Sequence, residues 1–327
     1  MFSLPQGQNS TLPQNITDDD PLRLDDTANQ FRALCWILYA LCVALYFMCY
    51  PRQLATSRPL EIVNQHRYAD MGRILPLVVI ANKYGFRSLE EWGFDVLNHH
   101  CEGGLDFLTR CSVSELSLLA DIAVLSDYTQ YTTRLIGLIQ EKSLSRLKVS
   151  TTSPLVNVML EIGEKHSWDS YLGKVYSQIV HAITYDSVDT PIGLSESHTR
   201  MIQAVNTLGL KPEQEMRLYK GYIALVQFWD SFVRNRAKID VELCPHNHNW
   251  DRCRENISQA WNSIFQAVSV SHPSADVDGK LGYIINQFAS SSVRDWRDVH
   301  CWSSIRDRVK NIREDVLANI PRLFVGN

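Results

Sequence analysis

Apolar residues return every third or fourth position along most of the chain, a spacing that predicts amphipathic helices rather than strands. Thr27 with Gln30 has the reciprocal pattern of a helix-opening capping box, followed by Phe31, Leu34, Cys35 and Leu38 on one face. Ser88 with Glu91 and Ser112 with Glu115 repeat the capping pattern. They precede Leu89, Trp92, Val96 and Leu97 in one case, and Leu116, Leu119, Ala120 and Ala123 in the other. Ile74 to Tyr84 is apolar on most of its circumference, carries Pro76 near its start and stops at Gly85. Ser153-Pro154 supplies a cap and a first-turn proline before Leu155, Val158, Met159 and Ile162, and Leu172 to Ile183 continues the period. Pro212 opens a long helix with Met216, Tyr219, Ile223 and Val226 inward. Ile257, Ala260, Trp261, Ile264, Phe265 and Val268 give the cleanest amphipathic face. Trp302, Ile305, Val309, Ile312 and Val316 form a final seam. The class read from this pattern is mainly α.

Polar stretches punctuate it. Residues 1–21, rich in Gln, Asn, Thr, Pro and Asp, read as flexible. Asp186 to Ser197, with Pro191 and Gly193, is the expected domain boundary, and Ser271 to Gly279 is a further break. Between Arg32 and Arg52 the pattern changes: Ala33 to Tyr50 is a run of 18 residues with no formal charge. Its length and aromatic residues match a marginal single-pass membrane helix, with a buried core helix as the bland alternative. Arg52 to Gly72 reads as a loop or insertion.

Composition narrows the classes. Apolar residues make up 45% and charged residues 21%, enough for a sizeable core, and a net charge of −4 carries no basic excess for phosphate contacts. The eight cysteines are scattered with no CxxC pair, and Met1 to Thr11 lacks a signal-peptide pattern. Reduced thiols in an intracellular protein, cytoplasmic or nuclear, are expected.

Two segments carry a family resemblance. Arg23-Leu24-Asp25-Asp26-Thr27 followed by Phe31-Arg32-Ala33-Leu34-Cys35-Trp36-Ile37-Leu38-Tyr39 resembles the strand-to-helix segment of BTB/POZ domains. Leu75-Pro76-Leu77-Val78-Val79-Ile80-Ala81-Asn82-Lys83-Tyr84, then Phe86, Leu89 and Trp92, resembles the helical pair that closes such a domain. Met1-Phe2-Ser3-Leu4-Pro5-Gln6 is similar to a segment of fungal, basidiomycete-type members. The resemblance implies an incomplete BTB/POZ-like α/β unit over 22–104, with a short strand at Leu22-Arg23-Leu24 and an atypical insertion at 42–72. A BACK-like helical extension over 105–186 and a C-terminal helical region over 198–327 follow. The family's opening strands and first helix belong upstream of Met1, so the resemblance is to an N-terminally truncated member or a gene-model fragment.

No GxSxG, GxxxxGK, GxGxxG or HExxH occurs, and no catalytic residue and no cofactor is assigned. The metal candidates are Cys244, His246, His248 and Cys253, thiolate and imidazole ligands that suit zinc, although the spacing is not that of a finger and a polar loop is the favoured reading. His99, His100 and Cys101 read as a structural helix end. Tyr219, Tyr222, Phe228 and Trp229 read as core rather than as a ligand groove, and Asp18-Asp19-Asp20 as solvated. The expected function is a non-enzymatic protein–protein interaction module. Its partners by resemblance are another copy, a cullin-type ubiquitin ligase or transcription complexes, with no nucleic acid and no small-molecule substrate. The alternative is a membrane-anchored helical protein with its anchor at 33–50.

Overall fold

The computed structural model describes residues 26–49, 70–102, 107–125, 129–185, 202–241, 250–289 and 301–326. Among these the chain is mainly helical and contains no strand. The expected strand at 22–24 and the polar stretch at 186–197 lie outside the described residues. The chain divides into two compact units, Met1–Ser143 and Leu144–Asn327. The dividing point falls inside a helix rather than in a polar break.

In the N-terminal unit, α1 (Ala28–Cys49) opens with the expected capping box. The Thr27 amide donates to Gln30 Oε1 (2.7 Å) and the Gln30 amide to Thr27 Oγ1 (3.2 Å). The helix runs through to Cys49, so the first part of the expected 42–72 insertion is helical. α2 (Met71–Tyr84) begins three residues earlier than its apolar run suggests, because Asp70 caps it by accepting from the Gly72 amide at 3.0 Å. It ends at Gly85, whose φ of 69° is the left-handed turn that lets Phe86 N donate back to the Ala81 carbonyl at 2.8 Å. α2 is buried on most of its surface and packs on α1, on α3 (Arg87–Glu102) and on α5 (Val113–Leu125). α3 starts at Arg87, so Ser88 lies in its first turn and is not the expected cap. At the α2–α3 crossing a Cβ on Gly93 would sit 2.4 Å from Val78 Cγ2, so only glycine permits this approach. The four-residue α4 (Phe107–Arg110) leads to α5, where Ser112 and Glu115 form the second capping box as expected. α6 (Thr129–Val149) carries the chain across the division between units.

The C-terminal unit holds α7 (Ser153–Lys165), α8 (Asp169–Tyr185), a short α9 at 202–208, α10 (Pro212–Val241), α11 (Trp250–Ser271), α12 (Val277–Ala289) and α13 (Cys301–Val325). The cap of α7 is Thr152, one residue ahead of the expected Ser153. The Ser153 hydroxyl instead donates to the Leu208 carbonyl at 2.6 Å, closing the end of α9. α13 packs along α8, α10 and α12. Two glycines make room for it: a Cβ on Gly173 would lie 2.1 Å from Pro321 Cα, and one on Gly221 2.0 Å from the Phe324 ring. Phe324 thereby stacks on Tyr176, with ring centroids 5.7 Å apart. Trp261, fully buried, stacks on Phe265 and meets Phe288 edge-on, joining α11 to α12.

The inward face of α10 differs from the expected one. Leu218, Tyr222, Leu225, Trp229 and Phe232 are buried, whereas Met216 is 70% and Ile223 50% exposed. The helix carries two apolar stripes, and the one that includes Gly221 faces inward because it alone admits Phe324.

Candidate functional site

In the N-terminal unit, Ala33 and Ile37, one turn apart on α1, are buried against Leu77 and Ile80 of α2. Leu34, Trp36, Tyr84, Leu89 and Trp92 pack around them, and the Arg73 guanidinium lies over the Trp36 ring at 5.5 Å. Asp26, just before the α1 cap, accepts from Lys83 Nζ at 2.6 Å and from the Tyr84 hydroxyl at 2.5 Å. Burial pushes the Asp26 carboxyl up, but the Lys83 and Tyr84 hydrogen bonds outweigh it and hold the group below its ordinary value. The two segments that carry the family resemblance therefore dock on each other. The opposite side of α1 leaves Phe31, Leu38 and Tyr39 exposed, Tyr39 by 73%. That is an apolar surface on a helix whose other face is already packed.

The second half of the expected membrane anchor at 33–50 lies outside the described side chains. Among the described residues no helix is long and apolar enough to cross a membrane. Ala33 and Ile37, in the first half of the apolar run, are covered by protein. The side chains of 40–49, and Tyr50, lie outside the described residues.

Cys244, His246 and His248 also lie outside the described residues. Cys253 falls in α11, and its side chain is likewise outside the description. Among the described residues no group of three or more His, Cys, Asp or Glu is placed to hold a metal. At the end of α3, His100 and Cys101 are buried and His99 is exposed. Burial, with Cys111 and Glu102 nearby, pushes the Cys101 thiol up to about 12, which keeps it a neutral core group rather than a thiolate ligand. Tyr222 and Trp229 are core, as their spacing suggests. Asp18, Asp19 and Asp20 are outside the described residues.

The C-terminal unit holds a polar cluster that the sequence pattern did not expose. Asp276 caps α12: its Oδ1 accepts from the Gly279 amide at 2.9 Å, while its Oδ2 accepts from the Tyr185 hydroxyl at 2.5 Å and lies 2.9 Å from His272 Nδ1. A Cβ on Gly279 would fall 2.0 Å from Asp276 Oδ2, so glycine is required here. Burial raises the Asp276 carboxyl, but hydrogen bonds from Tyr185, Gly279 and His272 win and hold it below its usual range. The Tyr185 hydroxyl is pushed up by burial and by the Asp276 charge. Lys280, 3% exposed, donates to the Ser274 carbonyl at 2.8 Å and lies over the Trp229 ring, and burial lowers it to about 8. A cleft of about 90 Å³ opens beside this cluster, between α8, α10, α13 and the start of α12. Its two acids are both engaged, Asp276 as above and Asp278 by Arg313 Nε at 2.6 Å. Neither carboxylate is free to act as a base. The cluster ties the ends of α8 and α11 to the start of α12, and its signal in the sequence was Asp276 with Gly279 three residues on, ahead of Leu281 and Ile284.

The chain matches no family model, no curated protein and no solved structure.

Proposed function

We propose that the chain is a non-enzymatic, intracellular protein–protein interaction module of BTB/POZ-like type, with α5 to α8 as a BACK-like extension. One observation carries this reading. The two segments that resemble the family, 57 residues apart at Asp26 and Lys83, form a single packed pair and leave an apolar face of α1 exposed. An adaptor needs a rigid scaffold beneath an accessible apolar patch, and α1 on α2 supplies both. By resemblance the partners are a second copy, a cullin-type ubiquitin ligase or a transcription complex.

The test is cross-linking and capture from cells with the whole chain, compared with a Leu38→Glu, Tyr39→Glu double variant. Both positions are exposed, so the double variant should fold normally. A cullin-class or transcription partner captured by the parent and lost in the variant supports the reading. A folded parent that captures nothing above background sinks it.

A further inference from the structure

We propose that α10 pairs in parallel with α10 of a second copy of this chain, through the stripe that the unit leaves outward. The inference does not depend on the BTB/POZ-like reading, because it rests on the C-terminal unit. Met216, Tyr219, Ile223 and Val226 are spaced three, four and three apart, the a and d positions of a heptad seam. Met216 and Ile223 are 70% and 50% exposed, although an apolar residue on a helix gains from burial. The other stripe of the helix is spent on the core; of the seam, the two a positions Met216 and Ile223 are exposed and the two d positions Tyr219 and Val226 half-buried at its edge, so among the described residues its outward side is the a row.

Charge selects the partner and its direction. Glu215 precedes the seam at a g position and Lys220 follows at an e position, five residues on. In a parallel two-fold pair, g of one helix faces the next e of the other, so Glu215 and Lys220 meet twice. In an antiparallel pair e faces e and g faces g, and like charges would meet. Neither residue makes an ion pair among the described residues, so both are available. A β-branched residue at an a position, here Ile223, favours two strands over more. Asp230 falls at the following a position and ends the seam, which spans about 15 Å at the helical rise. So short an interface belongs to the transient class, below about 1,200 Å² of buried surface.

Sedimentation velocity on the full chain, across micromolar to millimolar concentrations, tests this. The expected result is a reversible monomer–dimer equilibrium. Ile223→Glu should weaken it at least about tenfold, since a charge replaces the central apolar contact. Glu215→Lys should weaken it by about threefold or more, and adding Lys220→Glu should restore it. All three changes are outside the buried core, so unaltered thermal melts of the variants serve as the folding control. A chain that stays monomeric overturns the proposal. So does a dimer indifferent to Ile223→Glu, one that the double charge swap does not restore, or one broken by Leu38→Glu in α1 instead.

Discussion

In the C-terminal unit α13 is gripped by two glycines whose backbones touch Pro321 and Phe324, and a saturated carboxylate locks three helix ends beside it. In the N-terminal unit α1 is held to α2, among the described residues, by an apolar contact, by the Arg73 guanidinium over Trp36 and by one carboxylate, Asp26, whose Lys83 partner is 43% exposed. A further polar residue there, Asn98, is 7% exposed, and among the described residues neither of its side-chain polar atoms has a hydrogen-bond partner. The difference teaches that α13 is held by shape, where a single methyl group is too much, and α1 by a few separable contacts over which a helix can loosen.

The largest effect is expected where shape decides. Gly173→Ala puts a methyl group into the Pro321 backbone and should cost about 3 kcal/mol, read as a lower urea midpoint, because no flexible side chain is there to give way. Next comes Lys280. Its folded value of about 8 lies below the ordinary 10.5, so between those values the unfolded chain binds the extra proton and stability should rise with pH. The rise is on the order of 3 kcal/mol at full extent. Denaturant titrations from pH 8 to 10 should show that slope in the parent and lose it in Lys280→Met; an equal slope in both would remove Lys280 as the cause.

Smaller effects test the N-terminal unit. Asn98→Leu fills similar volume without orphaned polar atoms and should stabilise by about 1 kcal/mol, measured as a higher urea midpoint. Asp26→Ala should cost about 1 kcal/mol, discounted because Lys83 is half in solvent, and should speed amide exchange at the start of α1 only. Because the folded Asp26 value is lowered, its contribution is present above the ordinary carboxylate range and is lost as pH falls through the folded value. Parent and variant should therefore converge in acid. If Asp26→Ala instead loosened α2 and α3 as well, the contrast between the units would fail.

The sequence made local features readable and hid the ones that depend on distant neighbours. Thr27 with Gln30 and Ser112 with Glu115 are capping boxes in the structure as in the sequence, because both partners lie within four residues. The mainly α class followed from the same short-range spacing. The inward face of α10 was misread since both of its stripes are apolar, and the choice is made by Phe324, about a hundred residues on, against Gly221. In the membrane-like run of α1 the spacing left core and membrane readings open, and Leu77 and Ile80, some forty residues on, cover Ala33 and Ile37 of its first half. The Tyr185–Asp276 pairing spans 91 residues, and no periodicity announces it. The zinc candidates Cys244, His246, His248 and Cys253 were read from ligand types clustered within ten residues, and their side chains lie outside the described residues.

The glycine clasp on α13 also has a kinetic meaning. Helix pairs such as α7 with α8 and α11 with α12 are neighbours along the chain and close over short loops, whereas Gly173 must meet Pro321 across most of the unit. Contacts of that sequence separation carry a large loop-closure penalty and tend to form after the rate-limiting barrier. The clasp should therefore act as a brake on unfolding rather than an accelerator of folding. In a chevron experiment Gly173→Ala should raise the unfolding limb and leave the folding limb almost in place.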